Sequence, residues 1–184
     1  MFKKYKFNDK EIAEILNNAV ILIDTREKDN FQTRLFNEYC ASCFIKTKKM
    51  KLPVGDYGIM VSANHELGIP RDMYLPFVVE RKANLDELCV NFSSNDRSRF
   101  LNEFAKAKND GFKVHVVVET NDYNDLVTGN YRSQFKSTTL EANMWSVQAK
   151  YDVQFSFIKD YNMAPRFIVN YLFSNLKSEL KHWY

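Results

Sequence analysis

Glycine and proline are scarce in this sequence, with five glycines and four prolines among 184 residues, all scattered singly. The chain therefore lacks the Gly- and Pro-rich stretches that join separate domains, and we expect one domain over residues 1–184. Three cysteines are an odd number, which disfavours a disulfide framework and favours a reducing compartment. No apolar run reaches the 18 residues of a membrane span, and no apolar segment of a secretion signal follows the basic residues 1–6. We therefore expect a cytoplasmic protein.

A large excess of one charge is also lacking, since 26 Lys and Arg stand against 23 Asp and Glu, for a net charge of +3. This balance excludes a polybasic coat protein but allows a local basic groove around an acidic centre. The sequence does contain 45% hydrophobic and 15% aromatic residues, which is a globular composition that can fill a substantial core.

The apolar pattern predicts alternating helices and strands. Asn8 and Glu11 are spaced as a helix-capping pair, and residues 19–23 form a continuous apolar run, typical of a strand buried on both faces. The later elements are a helix with Phe31, Leu35 and Phe36, strands at 44–51, 57–62 and 75–82, a short helix from Asn84, a helix at 95–108, a strand at 113–119, a helix capped by Thr138, a strand at 153–158 and a helix at 164–181. Mixed strands between helices indicate a three-layer α/β fold, in which helices flank a mixed central sheet.

Acidic and basic side chains stand where the predicted strands end. Asp24 and Glu27 follow the first strand, and Asp56 precedes another. The segment Glu80-Arg81-Lys82 ends a third, and because side chains alternate along a strand, Glu80 and Lys82 point to one face and Arg81 to the other.

A carboxylate beside an ammonium group, with Asp56 entering from the neighbouring strand, suits a hard cation such as Mg²⁺ or Mn²⁺. In that arrangement Asp56 and Glu80 hold the metal, and the carbonyl oxygen of Arg81 completes the protein ligands. Lys82 then orients or helps to deprotonate a metal-bound water.

This spacing resembles a known signature. Gly55-Asp56, then 23 residues, then Glu80-Arg81-Lys82-x-x-x-Asp86 is similar to the GD-Xn-ERK-X3-D signature of the ERCC4 (XPF/Mus81-type) nucleases, a branch of the PD-(D/E)XK superfamily. The element Asp24-x-Arg26-Glu27 is similar to the first motif of the same family. The segments 97–107 and 145–157 resemble later elements of its bacterial and phage stand-alone members.

The resemblance implies a restriction-endonuclease-like core over about 19–181 and metal-dependent hydrolysis of DNA, often at branched or flap structures. It implies these site residues: Glu27, Asp56 and Glu80 as metal ligands with Asp24 supporting them, Lys82 acting on the attacking water, Arg26 and Arg81 stabilising phosphate or anchoring the acidic cluster, and Asp86 behind the ligands. No helix-hairpin-helix domain is present in the sequence, so a dimer or a partner protein would supply tight binding. Family nucleases pair through helices, and we expect a homodimer through the late helices, around Trp145 and at 167–176.

Several of these residues also have structural interpretations. Asp24-x-x-Glu27 has the spacing of a helix cap, and Asp86 lies in the first turn of a predicted helix, where an acid is favoured. Lys46 and Lys48 either follow a DNA backbone or keep an exposed strand edge soluble.

Helical geometry separates the two candidate DNA-binding arginines. Arg97 shares a helix face with Phe100 and Phe104, so we expect it to be partly buried and to meet an acidic or phosphate partner in the cluster. Arg99 lies on the opposite side, where it would be a surface contact.

The sequence therefore predicts an endonuclease with Mg²⁺ or Mn²⁺ as cofactor and branched, flap or duplex DNA as partner. DNA repair, recombination and breakdown of host DNA are all compatible roles, the last in a host cytoplasm if the protein is phage-encoded. Two alternatives stay open: a catalytically silent DNA-binding or scaffold subunit, and a protein-binding regulator on a nuclease fold.

Overall fold

The strands of the computed structural model form one mixed sheet in the order β2-β1-β3-β4-β5-β6. The structure describes residues 7–27, 29–93 and 96–181. The strands are β1 (Ala19–Asp24), β2 (Lys46–Met50), β3 (Tyr57–Val61), β4 (Met73–Lys82), β5 (Lys113–Glu119) and β6 (Gln154–Ile158). The helices are α1 (Asp9–Asn18), α2 (Phe31–Ser42), α3 (Leu85–Phe92), α4 (Arg97–Asn109), α5 (Tyr123–Thr128), α6 (Ser137–Tyr151) and α7 (Ala164–Lys181), with one 3₁₀ turn at Tyr161–Met163. The predicted α/β class, a mixed sheet flanked by helices, is confirmed.

Two compact units share the chain. The first comprises the described parts of Met1–Leu52, Asp56–Phe77 and Pro165–Tyr184, and the second comprises Pro53–Gly55 and Val78–Ala164. The single domain that the sequence predicts stays a prediction.

Strand β1 is the centre of the first unit. It runs parallel to β2 and antiparallel to β3, and Ile21 lies opposite both Thr47 and Ile59. Ile21 and Leu22, whose side chains point to opposite faces, are both buried, which confirms that this apolar run is a strand covered on both faces. Helix α1 begins with the predicted capping box, in which Asn8 accepts from the Glu11 amide and Glu11 accepts from the Asn8 amide.

The core of the second unit lies between β5 and helices α3, α4 and α6. Val116 and Val118 of β5 belong to the same buried cluster as Phe100 and Phe104 of α4 and Met144 of α6. Strand β6 pairs with β5 in parallel. This packing holds α3 and α4 against β5.

One prediction about a helix start is corrected, and another lies partly outside the described residues. Helix α6 begins at Ser137 after Lys136, with no side-chain cap, so the predicted cap at Thr138 is wrong. Helix α4 begins at Arg97, and the predicted start at Asn95 lies outside the described residues. The short helix α5 was not predicted, although Asp122 and Asp125 form a capping box at its start.

Within the described part of the chain, no helix combines the length and the apolar character that crossing a bilayer requires.

Candidate active site

Asp24, at the end of β1, joins three backbone segments of the first unit. Its buried carboxylate accepts hydrogen bonds from the Arg26 amide at 2.7 Å, from the Arg26 guanidinium at 2.7 and 3.1 Å, and from the Leu52 amide at 2.6 Å. Its own amide donates to the Asp56 carbonyl oxygen at 2.8 Å. Both carboxylate oxygens are engaged by these bonds. Asp24 therefore fixes the position of the Arg26 side chain and of the backbone at Arg26 and Leu52. Helix α2 is capped by Asn30, so the interpretation of Asp24 as its cap is wrong.

The other candidate residues of this unit lie on the segments that Asp24 holds. Arg26 is exposed, and its guanidinium also donates to the Leu52 carbonyl oxygen at 3.1 Å. Glu27 and Asp56 are both half-buried, and the Glu27 amide donates to the Asp24 carbonyl oxygen at 3.1 Å. The structure therefore brings the backbone of Asp56 beside the segment that carries Asp24, Arg26 and Glu27.

We expect the stability that Asp24 contributes to depend on pH. Burial raises the pKa of this carboxyl, but hydrogen bonds from Arg26 and Leu52 and the charge of Arg26 outweigh burial and hold the pKa below its ordinary value. A depressed folded-state pKa adds stability above the unfolded-state pKa of about 3.9, and this stability is lost as the pH falls through the lower folded-state pKa. In urea unfolding at pH 5 and pH 3, the wild type should therefore lose more stability than Asp24→Asn. Equal losses in the two proteins would contradict this role.

Gly55 precedes Asp56 at a position where only glycine fits without strain. Its φ is +76°, and a Cβ atom would lie 3.0 Å from Val78 Cβ and 3.1 Å from the Val79 carbonyl oxygen. The glycine of the Gly-Asp pair thus allows the chain to pass close to the backbone of β4.

Glu80 and Lys82 form a close ion pair near the end of β4, in the second unit. Lys82 Nζ lies 2.7 Å from Glu80 Oε1 and 3.7 Å from Glu87 Oε1. It also lies 5.3 Å from the centroid of the Phe100 ring. The Lys82 side chain is only 7% exposed, against 17% for Glu80. A buried ammonium group is thus held between carboxylates and an aromatic face, while the Glu80 carboxylate reaches solvent.

Arg81 points away from this pair, as strand alternation predicts. Its Nε lies 3.2 Å from Glu119 Oε1 at the end of β5, and both side chains are buried. The Arg81 side chain therefore anchors a carboxylate inside the second unit, and its main chain stays on the strand beside Glu80. Glu119 is not one of the predicted metal ligands, so the two roles predicted for this side chain, a phosphate contact and an anchor of the acidic cluster, stay predictions.

Asp86 and Glu87 are adjacent in sequence but contact different parts of the second unit. Asp86 accepts from the Ser133 amide at 2.7 Å and from Arg132 at 3.3 Å, so it holds the loop between α5 and α6. Glu87, which we did not single out, approaches Lys82 and accepts from the Ala83 amide at 2.8 Å. The spacing Asn84-x-x-Glu87 is the signal that could have identified it, since Asn84 does cap α3.

The candidate DNA-binding arginines lie on α4. Arg97 is half-buried as predicted, and its guanidinium donates to the Asn143 side chain on α6 at 2.6 Å, a neutral amide rather than an acidic group. The phosphate partner, the other expected one, stays a prediction. Arg99 is exposed and pairs with Asp96 at 3.2 Å, one turn earlier. Lys46 and Lys48 are exposed on β2.

No group of three His, Cys, Asp or Glu side chains arranged to hold a metal ion is found in the part of the chain that the structure describes. Mg²⁺ that acts on phosphate is commonly bound by one or two carboxylates, with water and phosphate oxygens completing its coordination. The carboxylate of Glu80, accessible to solvent and oriented by Lys82, is an oxygen donor of that type.

Comparisons with known proteins identify one family. The model of the ERCC4 domain matches residues 23–171. No curated protein matches the sequence. The fold is similar to XPF from Aeropyrum pernix, with a TM-score of 0.57 and 20% identity over 85% of this chain and 61% of that one.

It is also similar to XPF from Aeropyrum pernix in complex with DNA, with a TM-score of 0.56 and 17% identity over 86% of this chain and 65% of that one. The chain thus spans less than two thirds of the length of these two structures, and at such identities the likeness shows the fold.

Proposed function

Because the chain belongs to the ERCC4 domain family, we propose that it is a metal-dependent DNA endonuclease that hydrolyses phosphodiester bonds. The observation that carries the proposal is the intact Glu80-Arg81-Lys82 segment, in which a buried ammonium group lies 2.7 Å from a carboxylate that reaches solvent. A solvated strand end with no chemical role would leave this lysine in water rather than bury it.

The proposed cofactor is Mg²⁺ or Mn²⁺, which supplies charge neutralisation of the phosphate and activation of water when it is bound. The ligand set in this proposal is the one that the family resemblance implies, namely Glu27, Asp56, Glu80 and the carbonyl oxygen of Arg81. Lys82 orients the attacking water or moves a proton to or from it. Glu80 and Glu87 keep the Lys82 ammonium group in place.

The proposed substrate is DNA, at branched or flap structures or in a duplex. One of the two similar structures is XPF in complex with DNA, which supports DNA as the ligand class. Arg97, Arg99, Lys46 and Lys48 are the proposed backbone contacts, of which Arg99, Lys46 and Lys48 are exposed.

We propose a homodimer that uses the surface around Trp145. Trp145 is 47% exposed and Tyr123 is 41% exposed, and their ring centroids are 6.3 Å apart. The second predicted surface, 167–176, is less suited to a partner because Ile168 and Leu172 are already buried. Sedimentation at micromolar protein should show a dimer for the wild type and a monomer for Trp145→Ser; a wild-type monomer would contradict the proposal.

The function is tested with labelled single-stranded, duplex, flap, fork and four-way-junction DNA in Mg²⁺, Mn²⁺ or EDTA. We expect cleavage with either metal and none in EDTA, with more cleavage of branched DNA than of plain duplex. DNA that is bound but not cut would support the silent-subunit alternative. Neither binding nor cleavage would support the protein-binding alternative.

A further inference from the structure

Phe44 lies between α2 and β2 with its ring in solvent. Its surface is 95% exposed, and its φ of +57° is in the left-handed region that side chains with a Cβ atom disfavour. Backbone hydrogen bonds fix this conformation, since the Phe44 amide donates to Ala41 at 3.1 Å and the Ile45 amide donates to Cys40 at 2.8 Å. The ring thus adds nothing to the core, although the backbone beneath it is strained.

The segment that follows Phe44, which includes strand β2 and Lys51, carries an unbalanced positive charge. Between Tyr39 and Gly55 the chain has four lysines and no Asp or Glu. The four are Lys46, Lys48, Lys49 and Lys51, all exposed. Lys46 donates to the neutral side chain of Asn18 at 3.1 Å, and none of the four pairs with a carboxylate of the described residues. Strand β2 is at the edge of the sheet, so this charge faces outward.

A cavity of about 360 Å³ opens beside the Phe44 ring. The residues that line it include Leu16, Ile45 and Phe173, together with Asn17 and Asn170, whose type of side chain both donates and accepts hydrogen bonds. The volume is within the range of cavities that hold small ligands. A cavity lined by both apolar residues and amides can accommodate the flat face and the polar edge of a nucleobase.

We propose that Phe44, the lysines of β2 and the adjacent cavity form a binding surface for unpaired nucleotides of DNA, with one base stacked on Phe44 and the phosphates beside the lysines. Aromatic rings interleaved with basic side chains are the general means of binding single strands, because every base has a face that can stack. Paired bases in a duplex have no free face for Phe44. The inference rests on the proposed function and deepens it, since it names the single-stranded arm of a branched substrate as the part that this surface holds.

The test is the binding of a fluorescent single-stranded oligonucleotide and of its blunt-ended duplex with the complementary strand, in EDTA so that no cleavage intervenes. Phe44→Gly removes the ring and suits the left-handed backbone, so the fold and the melting temperature are expected to be kept or improved. The affinity for the single strand should fall about tenfold, as expected for a lost stacked base, with the duplex affinity unchanged. Tyr74→Ala, at another exposed aromatic residue of the same unit, is the matched control and should not change either affinity.

The lysines are tested by the salt dependence of binding. Each lysine that contacts a phosphate of a single strand contributes about 0.7 to the slope of log affinity against log salt. Lys48→Ala and Lys49→Ala should each lower this slope, whereas Lys10→Ala on helix α1 should leave it unchanged. Unchanged slopes in both β2 variants would overturn the assignment of these lysines to DNA.

Cys43 gives an independent readout beside the ring. It is exposed, whereas burial raises the pKa of Cys40 to about 12 and also raises that of Cys89, so a maleimide should modify Cys43 first. Single-stranded DNA should slow this modification, and polyglutamate of equal charge should not. Equal protection by polyglutamate would overturn the proposal in favour of an acidic polypeptide.

The two proposals fail in different ways. If Phe44→Gly binds single strands as the wild type does, this inference is wrong, whatever the cleavage assay shows. If binding depends on the ring but no DNA is cut in Mg²⁺ or Mn²⁺, the nuclease proposal is wrong and the Phe44 surface stands.

Discussion

Replacing Lys82 by methionine is expected to slow DNA cleavage by a factor of about 10²–10⁴, the usual range for a group that handles a proton in the transition state. Methionine keeps an unbranched apolar side chain against Phe100 and removes only the ammonium group. The fold should survive because Glu80, which loses its partner, still reaches solvent. Single-turnover cleavage of a flap substrate measures the loss, and the melting temperature shows that the variant is folded.

Two further variants make the result specific. Lys82→Arg keeps the positive charge but puts a larger, planar group into a site that leaves the Lys82 side chain 7% exposed, so it should stay slow. Lys106→Met, at an exposed lysine of α4, should cleave at the wild-type rate. Wild-type cleavage by Lys82→Met would remove this residue from the proposed chemistry.

Replacing Arg81 by methionine is expected to lower the free energy of unfolding by about 3–5 kcal/mol, because it removes a positively charged partner of the buried Glu119 carboxylate. The two groups are 3.2 Å apart, with side chains that are 8% and 3% exposed. The double variant Arg81→Met with Glu119→Leu should recover most of the loss, since an apolar pair of similar volume replaces a buried ion pair at little cost. Urea unfolding of the wild type, the single variant and the double variant measures both effects.

The exposed pair of Arg99 and Asp96 is the matched control. Its groups are also 3.2 Å apart, but the Arg99 side chain is 68% exposed, so Arg99→Met should lower the free energy of unfolding by less than about 1 kcal/mol.

The double variant at Arg81 and Glu119 should still cleave DNA, because the proposed metal ligand at position 81 is the carbonyl oxygen, which the substitution keeps. Loss of cleavage in a stable double variant would show instead that the Arg81 side chain contacts substrate.

The elements that could be predicted from the sequence are those in which a local pattern and the core agree. Strand β5 matches its predicted bounds of 113–119 because valines fill both faces of a buried strand. Helix α7 matches 164–181, where Pro165 in the first turn favours the start. Helix α5 was missed because six residues are too few for a helical period, even with a capping box.

The local part of the candidate site was also predictable. Strand alternation correctly separated Glu80 and Lys82 from Arg81, since it depends only on backbone geometry. The partner of Arg97 could not be predicted from local backbone geometry. Asn143 lies 46 residues further along the chain, and only the packing of α4 against α6 brings its amide to the guanidinium.

Glu87 and Asp86 show how one residue of offset changes a role. The family signature includes Asp86, which accepts hydrogen bonds from Arg132 and Ser133 in the loop between α5 and α6. Glu87 approaches Lys82 because the cap at Asn84 turns the third residue of the helix back toward the end of β4. Each residue of an α-helix is rotated by about 100° from the one before it, so the side chains of neighbouring residues face different partners.

The most direct test of the central claim is single-turnover cleavage of a labelled flap DNA by the wild type and by Glu80→Gln, in Mg²⁺ and in EDTA. Glutamine keeps the shape of Glu80 and removes its charge, and Glu87 remains near Lys82 to limit the loss of stability. We predict cleavage only by the wild type in Mg²⁺, with Glu80→Gln folded and still binding DNA. Wild-type rates in Glu80→Gln, or cleavage that persists in EDTA, would contradict a metal-dependent nuclease site at Glu80.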